Sequence, residues 1–423
     1  MAERDTFALR GGTVIDGTGA EPILNGTVLV ANGRIAAVGP SNAIDLPSDL
    51  PVHDVSGKTV MPGLIDGHVH LRSFAGRGHQ DVHLWNVLTF IEEQTVHCAA
   101  NAITALESGV TTVRDMAGGR PEIAVRHVME QGILPGARIV VCGFVGMTAG
   151  HGDMFVPPIM EQRMWPPADG VDACRKLIRE YARDGADFIK LCTSGGVLSI
   201  GDKSEWRNYT MEETQAIVDE AHALGKPVAA HAHTRDGIYQ ALVAGVDTLE
   251  HGTHLDDELI EMMLERNTWL CPTLAIGDFI LTHGEERGVP AESLAKSRET
   301  DGYRQESMQK AYKAGVRIFM GTDSCNTMAF GGHARELQLM HERIGMTAME
   351  TIVAATSAAA DAIGLGDITG SLVTGKMADL LVVDGDPLSD LTILQERSRL
   401  LSVIKEGAVL IDRGMPRPVA AMV

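Results

Sequence analysis

Aromatic residues make up only 4% of the 423-residue chain, and its six cysteines include no CxxC pair. A protein this long does not rest on disulfide staples, so Cys98, Cys142, Cys174, Cys192, Cys271 and Cys325 read as small buried hydrophobes. No apolar run approaches the roughly 18–20 residues that cross a bilayer. The opening Met1 to Asp5 lacks the basic and apolar stretches of a secretory leader, so a cytoplasmic protein without a membrane partner is expected. Basic residues are in deficit, Lys+Arg 36 against Asp+Glu 56, for a formal charge of −20. With no basic cluster to offset that charge, nucleic acid is excluded as a partner. Phosphate-cradling loops, a Gly-x-Ser-x-Gly elbow and a dinucleotide-binding Gly-x-Gly-x-x-Gly turn are also missing. What the chain does have, 44% hydrophobic residues and 46 glycines, is the profile of an ordinary globular protein.

Both ends are rich in short β-like runs. Phe7 to Arg10, Thr27 to Val30 and Arg34 to Val38 surround an Asn32-Gly33 turn signal, and Asp379 to Val383, Leu400 to Ile404 and Ala408 to Ile411 repeat the pattern. Neither set can cover its own apolar face, so residues 1–61 and 366–423 are expected to form one composite β-sandwich. Between them, over 62–365, helix-length segments alternate with buried runs, and several helices end in Gly before a β-branched stretch, as at Gly109, Gly245 and Gly315. Eight strands are predicted: 64–69, 111–115, 138–143, 187–192, 228–231, 247–251, 269–273 and 317–322. This α/β alternation predicts a (β/α)8 TIM-like barrel, with chemistry at the C-terminal ends of its strands.

The polar residues closing those strands are a metal-ligand set. His68 and His70 stand two apart, so both imidazoles of a strand face one point. Lys190 lies inside an apolar strand, where a buried ammonium is costly; as a neutral amine it can take up CO2 and become an anionic carbamate able to bridge two cations. His231 and His233 close the fifth strand, His251 the sixth and Asp323 the eighth.

Here the sequence resembles the amidohydrolase superfamily of binuclear metallohydrolases over essentially its whole length. The resemblance is carried by Val60 to His70, Lys190, His231, Thr248 to Gly252, Gly321 to Asp323 and Gly375 to Pro387. It implies two divalent metal ions: His68, His70 and Asp323 on the more buried one, His231 and His251 on the second, and carboxylated Lys190 between them. Zinc suits imidazole and carboxylate ligands, with manganese, cobalt and iron as alternatives. Water between two such ions is deprotonated near neutral pH, and Asp323 would be the catalytic acid/base.

His151, in a Gly-rich loop after the third strand, and His233 resemble positions of the imidazolonepropionase-like branch. That branch contains dipeptidases, carboxypeptidases and amidases that split ochratoxin A into ochratoxin α and phenylalanine. The resemblance implies that both bind the free α-carboxylate of a small-molecule substrate, and that the chain is a homo-oligomer of up to eight copies. For the side-chain pocket the sequence offers Val197, Leu198, Met147, Met328, Phe330, the 70–81 loop and the apolar run 154–160. A cyclic amidohydrolase is the competing enzyme, disfavoured by Lys190, which deaminase-type members lack. A non-catalytic scaffold with the same barrel is disfavoured because all six ligands are present.

Overall fold

The computed structural model describes residues 6–76, 85–153, 163–199 and 201–415, and the backbone of 418–419. Five strands come first: β1 (Phe7–Val14), β2 (Ile23–Ala31), β3 (Arg34–Pro40), β4 (Val52–Asp54) and β5 (Thr59–Pro62). Seven follow in the middle: β6 (Leu64–Val69), β7 (Val110–Asp115), β8 (Arg138–Phe144), β9 (Phe188–Cys192), β10 (Val228–Ala232), β11 (Thr248–His251) and β12 (Trp269–Cys271). The last are β13 (Leu380–Val383), β14 (Leu400–Lys405), β15 (Ala408–Asp412) and β16 (Pro418–Val419).

Strands from the two ends of the chain meet in a single nine-stranded mixed sheet, where two stacked sheets were expected. The join is β5, which pairs in parallel with β1 and antiparallel with β13, so strands some 320 residues apart share hydrogen bonds. The sheet then wraps its own apolar face: Leu9, Val28, Val30 and Ile35 pack with Val60, Leu380, Val382 and Ile404. One continuous sheet curled over a core does the work that a sandwich would do.

β6 to β12 form a seven-stranded parallel sheet in strict chain order, with helices between them. The expected Gly signals hold at the helix ends: Gly245 and Gly315 cap the helices Arg235–Ala244 and Ala291–Ala314 at φ +90° and +88°, a region closed to most side chains. Side chains alternate across the strands. Val140, Cys142 and Phe144 of β8 pack inside the barrel, while Ile139, Val141 and Val145 pack against the helices.

The predicted eighth strand closes the barrel without forming a regular ladder. Residues 317–324 bridge to Leu270 on one side and to Val69 on the other. Phe319 N donates to Leu270 O, Gly67 N to Met320 O, and Asp323 N to His68 O. Between these contacts the chain's other amides are diverted, Met320 N to Ala354 O and Thr322 N to the Asp66 carboxylate. Asp323 itself sits at φ +60°, which breaks strand geometry at the position where the chemistry was expected.

Candidate active site

Lys190 lies on β9 between Phe188 and Cys192, both of which pack inside the barrel, while Ile189 and Leu191 face the helices. Strand alternation therefore aims the lysine inward, and it is 3% exposed. Its ammonium has no hydrogen-bond or ion-pair partner among the described residues and lines the cavity at the barrel mouth. Next to it in register, Ala229 and His231 of β10 face Lys190 and Cys192.

His251 reaches the same place by another route. Leu249 packs outward, so a regular strand would send His251 outward as well. Instead its backbone turns to φ +72°, and the ring comes to 4.5 Å from that of His231 and 5.1 Å from that of His68. His70 Nε2 lies 2.9 Å and His68 Nε2 3.6 Å from Asp323 Oδ1. Donor atoms of His68, His70 and Asp323 fall within 4.8 Å of one another, and so do those of His231, His233 and His251. All six expected ligands thus line one cavity of about 170 Å³, together with His151 and His233.

The far sides of the rings are spoken for. His68 Nδ1 meets Glu250 Oε2 at 2.8 Å, His251 Nδ1 meets Thr273 Oγ1 at 2.7 Å, and His233 Nδ1 meets Thr253 Oγ1 at 2.8 Å. His231 is turned round, with Nε2 3.3 Å from the Gly195 carbonyl. The outer partners of His68 and His231, a carboxylate and a carbonyl, can only accept, so the opposite nitrogens of these two rings turn lone pairs inward, whereas the threonine hydroxyls beside His233 and His251 can donate or accept and leave either tautomer open. Burial pushes His231, His233 and His251 well below the ordinary imidazole range, which keeps them neutral. Burial also lowers His68, against the opposing pull of Asp323 and Glu250. For Asp323 burial would raise the carboxyl, but His68 and the His70 hydrogen bond hold it below its usual value, as an anion. Inward lone pairs, a carboxylate and an unpartnered buried amine make a donor set that could hold divalent cations.

Several contributors escaped the sequence reading. Glu250 is fully buried and held well below the carboxylate range: burial opposes this, but Arg114 at 2.7 Å and His68 prevail. Thr248 Oγ1 donates to Glu250 at 2.6 Å, and Arg114 also donates to Gly67 O. The available signal was a charge inside each of two apolar strands, Arg114 in β7 and Glu250 in β11. Asp66 accepts from Thr322 and meets His333, tying β6 to the closing segment. His151 stacks on His231 at 4.5 Å, its Nδ1 edge against Ser199 and Asp202.

The apolar lining needs correction. Val197 and Leu198 line the cavity as expected, but Met328 is buried in the core, and Met147 and Phe330 pack against that core. Phe144, Trp165, Met116, Ile276 and Ile280 stand in their place. The apolar run 154–160 lies outside the described residues, as does the part of the 70–81 loop beyond residue 76.

A parallel α/β barrel with His, Lys and Asp gathered at its strand ends defines the class, and the chain belongs to the amidohydrolase family, whose model matches residues 59–410. Ochratoxinase from Aspergillus niger is 34% identical over 427 residues, covering 96% of this chain and 86% of that protein. The crystal structure of A. niger ochratoxinase superimposes with a TM-score of 0.85, covering 97% of this chain and 96% of the other. A prolidase complexed with N-methylphosphonate-L-proline matches with a TM-score of 0.88 at 31% identity, over 97% of this chain and all of that one. Imidazolonepropionase from Geobacillus kaustophilus is 26% identical, over 93% of this chain and 91% of that protein. These similarities support a hydrolase acting on amide bonds of small molecules. Among the described residues no helix is long and apolar enough to cross a membrane.

Proposed function

We propose that the chain hydrolyses an amide bond next to a free α-carboxylate, in a dipeptide or an N-acyl amino acid such as ochratoxin A. The observation that carries the reading is Lys190: a buried amine with no partner among the described residues, aimed into a cavity that also gathers His68, His70, His231, His251 and Asp323. Carboxylation of that amine removes the cost of a buried unpaired cation and creates the anionic bridge between two metal positions. His68, His70 and Asp323 would hold one ion, His231 and His251 the other, and carboxylated Lys190 both. Bound there, two divalent ions, zinc in the first instance, supply Lewis acidity at the scissile carbonyl and make water more acidic.

The chain's own groups do the rest. Asp323, kept anionic by its neighbours, accepts the proton of the attacking water on a carboxylate oxygen and returns it to the leaving nitrogen. Glu250 and Thr273 hold the rings of His68 and His251 in place through their Nδ1 atoms. His151 and His233 stand beside this centre as donors for the substrate carboxylate, and Phe144, Trp165, Val197 and Leu198 offer an apolar wall for the acyl or aryl group.

The test is a screen of N-acyl amino acids and dipeptides varied separately on each side of the amide, with ochratoxin A included and the metal content measured in parallel. Turnover confined to substrates with a free carboxylate, at two metal ions per chain, is expected. Equal turnover of carboxylate substrates and their amides, or full turnover without bound metal, refutes the reading.

A further inference from the structure

We propose that Arg304 is the cationic anchor for the substrate carboxylate, a residue that the metal-ligand pattern and the two histidines do not include. The inference rests on the reading that the substrate carries a free carboxylate. Arg304 sits on the helix Ala291–Ala314, is 5% exposed, and lines the same cavity as His233, His251 and Asp323. Buried arginines are ordinarily paired, because a guanidinium carries five donors and a charge that is costly to leave uncompensated.

Arg304 departs from that rule. Among the described residues its only hydrogen bond is a long one, NH1 to Thr273 O at 3.4 Å, and its buried Nε has no partner. The acidic groups near enough to act on it are Asp301, Asp323 and Glu336. Each is committed elsewhere: Asp301 to Arg343 at 3.2 Å, Asp323 to His70, and Glu336 to the amides of Leu274 and Ala275. The charge therefore remains unsatisfied until an anion enters from the cavity, and a carboxylate matches the planar fork with two parallel hydrogen bonds.

The wall beside it is shaped for the guanidinium. Gly277, on the helix Leu274–His283, also lines the cavity, and a Cβ at that position would come 2.5 Å from Arg304 NH1. The missing side chain leaves the space that the fork occupies. A neutral imidazole at His233 donates at most one hydrogen bond; the arginine adds the full charge that draws an anion out of water.

The experiment uses metal-reconstituted protein and two probes that cannot be hydrolysed, L-phenylalanine and its carboxylate-free analogue L-phenylalaninol, with binding read by calorimetry. Wild-type protein is expected to favour L-phenylalanine, Arg304→Gln to weaken that ligand by roughly 10- to 100-fold, and L-phenylalaninol to be unaffected. Gly277→Ala keeps the charge and favours the helix but displaces the fork, so it should also weaken L-phenylalanine at unchanged melting temperature. With a substrate from the screen, KM should rise by a similar factor while kcat moves less. If wild type prefers L-phenylalanine and both variants keep that preference, Arg304 is not the anchor and the carboxylate reading stands. If wild type shows no preference between the probes, the carboxylate reading itself fails and the anchor with it.

Discussion

Replacing Arg114 with methionine removes one end of the buried pair that holds His68. Arg114 is 3% exposed and donates to Gly67 O at 2.6 Å, Thr248 Oγ1 at 3.1 Å and Glu250 Oε1 at 2.7 Å. It also lies 5.2 Å and 5.1 Å from the ring centroids of Phe188 and Phe319. Methionine of comparable length keeps part of the contact with those rings. What it cannot replace is the charge opposite Glu250, which is fully buried and would keep only His68 and Thr248 as partners. Stranding one partner of a buried ion pair costs about 3–5 kcal/mol. For a 423-residue chain the unfolding entropy is about 0.9 kcal/mol per kelvin, so the melting temperature should fall by roughly 3–6 °C. Adding Glu250→Gln neutralises the stranded charge while leaving an oxygen for His68 Nδ1, and should recover more than half of the loss. Calorimetric melts of the single and double variants decide the matter. A single variant within about 1 °C of wild type, or a double variant no better than the single, refutes the claim that this pair is held together by its opposite charges.

Asp323→Asn is expected to keep the fold and bound metal while kcat drops by about 10²–10⁴-fold; wild-type turnover in a metal-replete variant would remove Asp323 from acid/base duty. Lys190→Ala should lose most of its bound metal by elemental analysis and regain part of it with added short carboxylates, and full activity without such addition contradicts the bridge. Glu336 is raised to about 8, first by burial and against the two amides it accepts from. A carboxyl raised on folding lends its full stability below about 4.5 and loses it as pH rises through 8, at up to about 1.4 kcal/mol per pH unit between those values. Glu336→Gln should therefore cost a little at pH 6, through one lost acceptor, yet lose less stability than wild type between pH 6 and 9. Parallel urea melts of the two proteins across that range would refute the assignment.

The residues that gather in the cavity were legible because they follow a local rule. A strand alternates its side chains, so His68 with His70, Lys190 among apolar neighbours and His231 with His233 are visible as pairs and intruders within a few residues. His251 was found from its motif, but the reason it reaches the cavity was not visible, since strand alternation sends it outward and only the turn at φ +72° brings it in. The eighth strand was foreseen as regular; the diversion of its amides to Asp66 and Ala354 depends on residues far away in the chain. The apolar pocket was the poorest guess, because Met147, Met328 and Phe330 sit on loops whose facing is set by what packs over them.

What the amino-acid sequence by itself determined is the alternation of strand and helix and the chemical identity of the strand ends, because periodicity and terminal residue type are properties of short segments. The pairing of β5 with β13 is different: it unites the two ends of the chain in one sheet, and a hydrogen bond across more than 300 residues leaves no local mark. So too with Arg114 against Glu250 and Arg304 in its unpaired setting. Whether a buried charge is matched depends on what tertiary packing puts within a few ångströms of it, and that distance exists only once the barrel has closed.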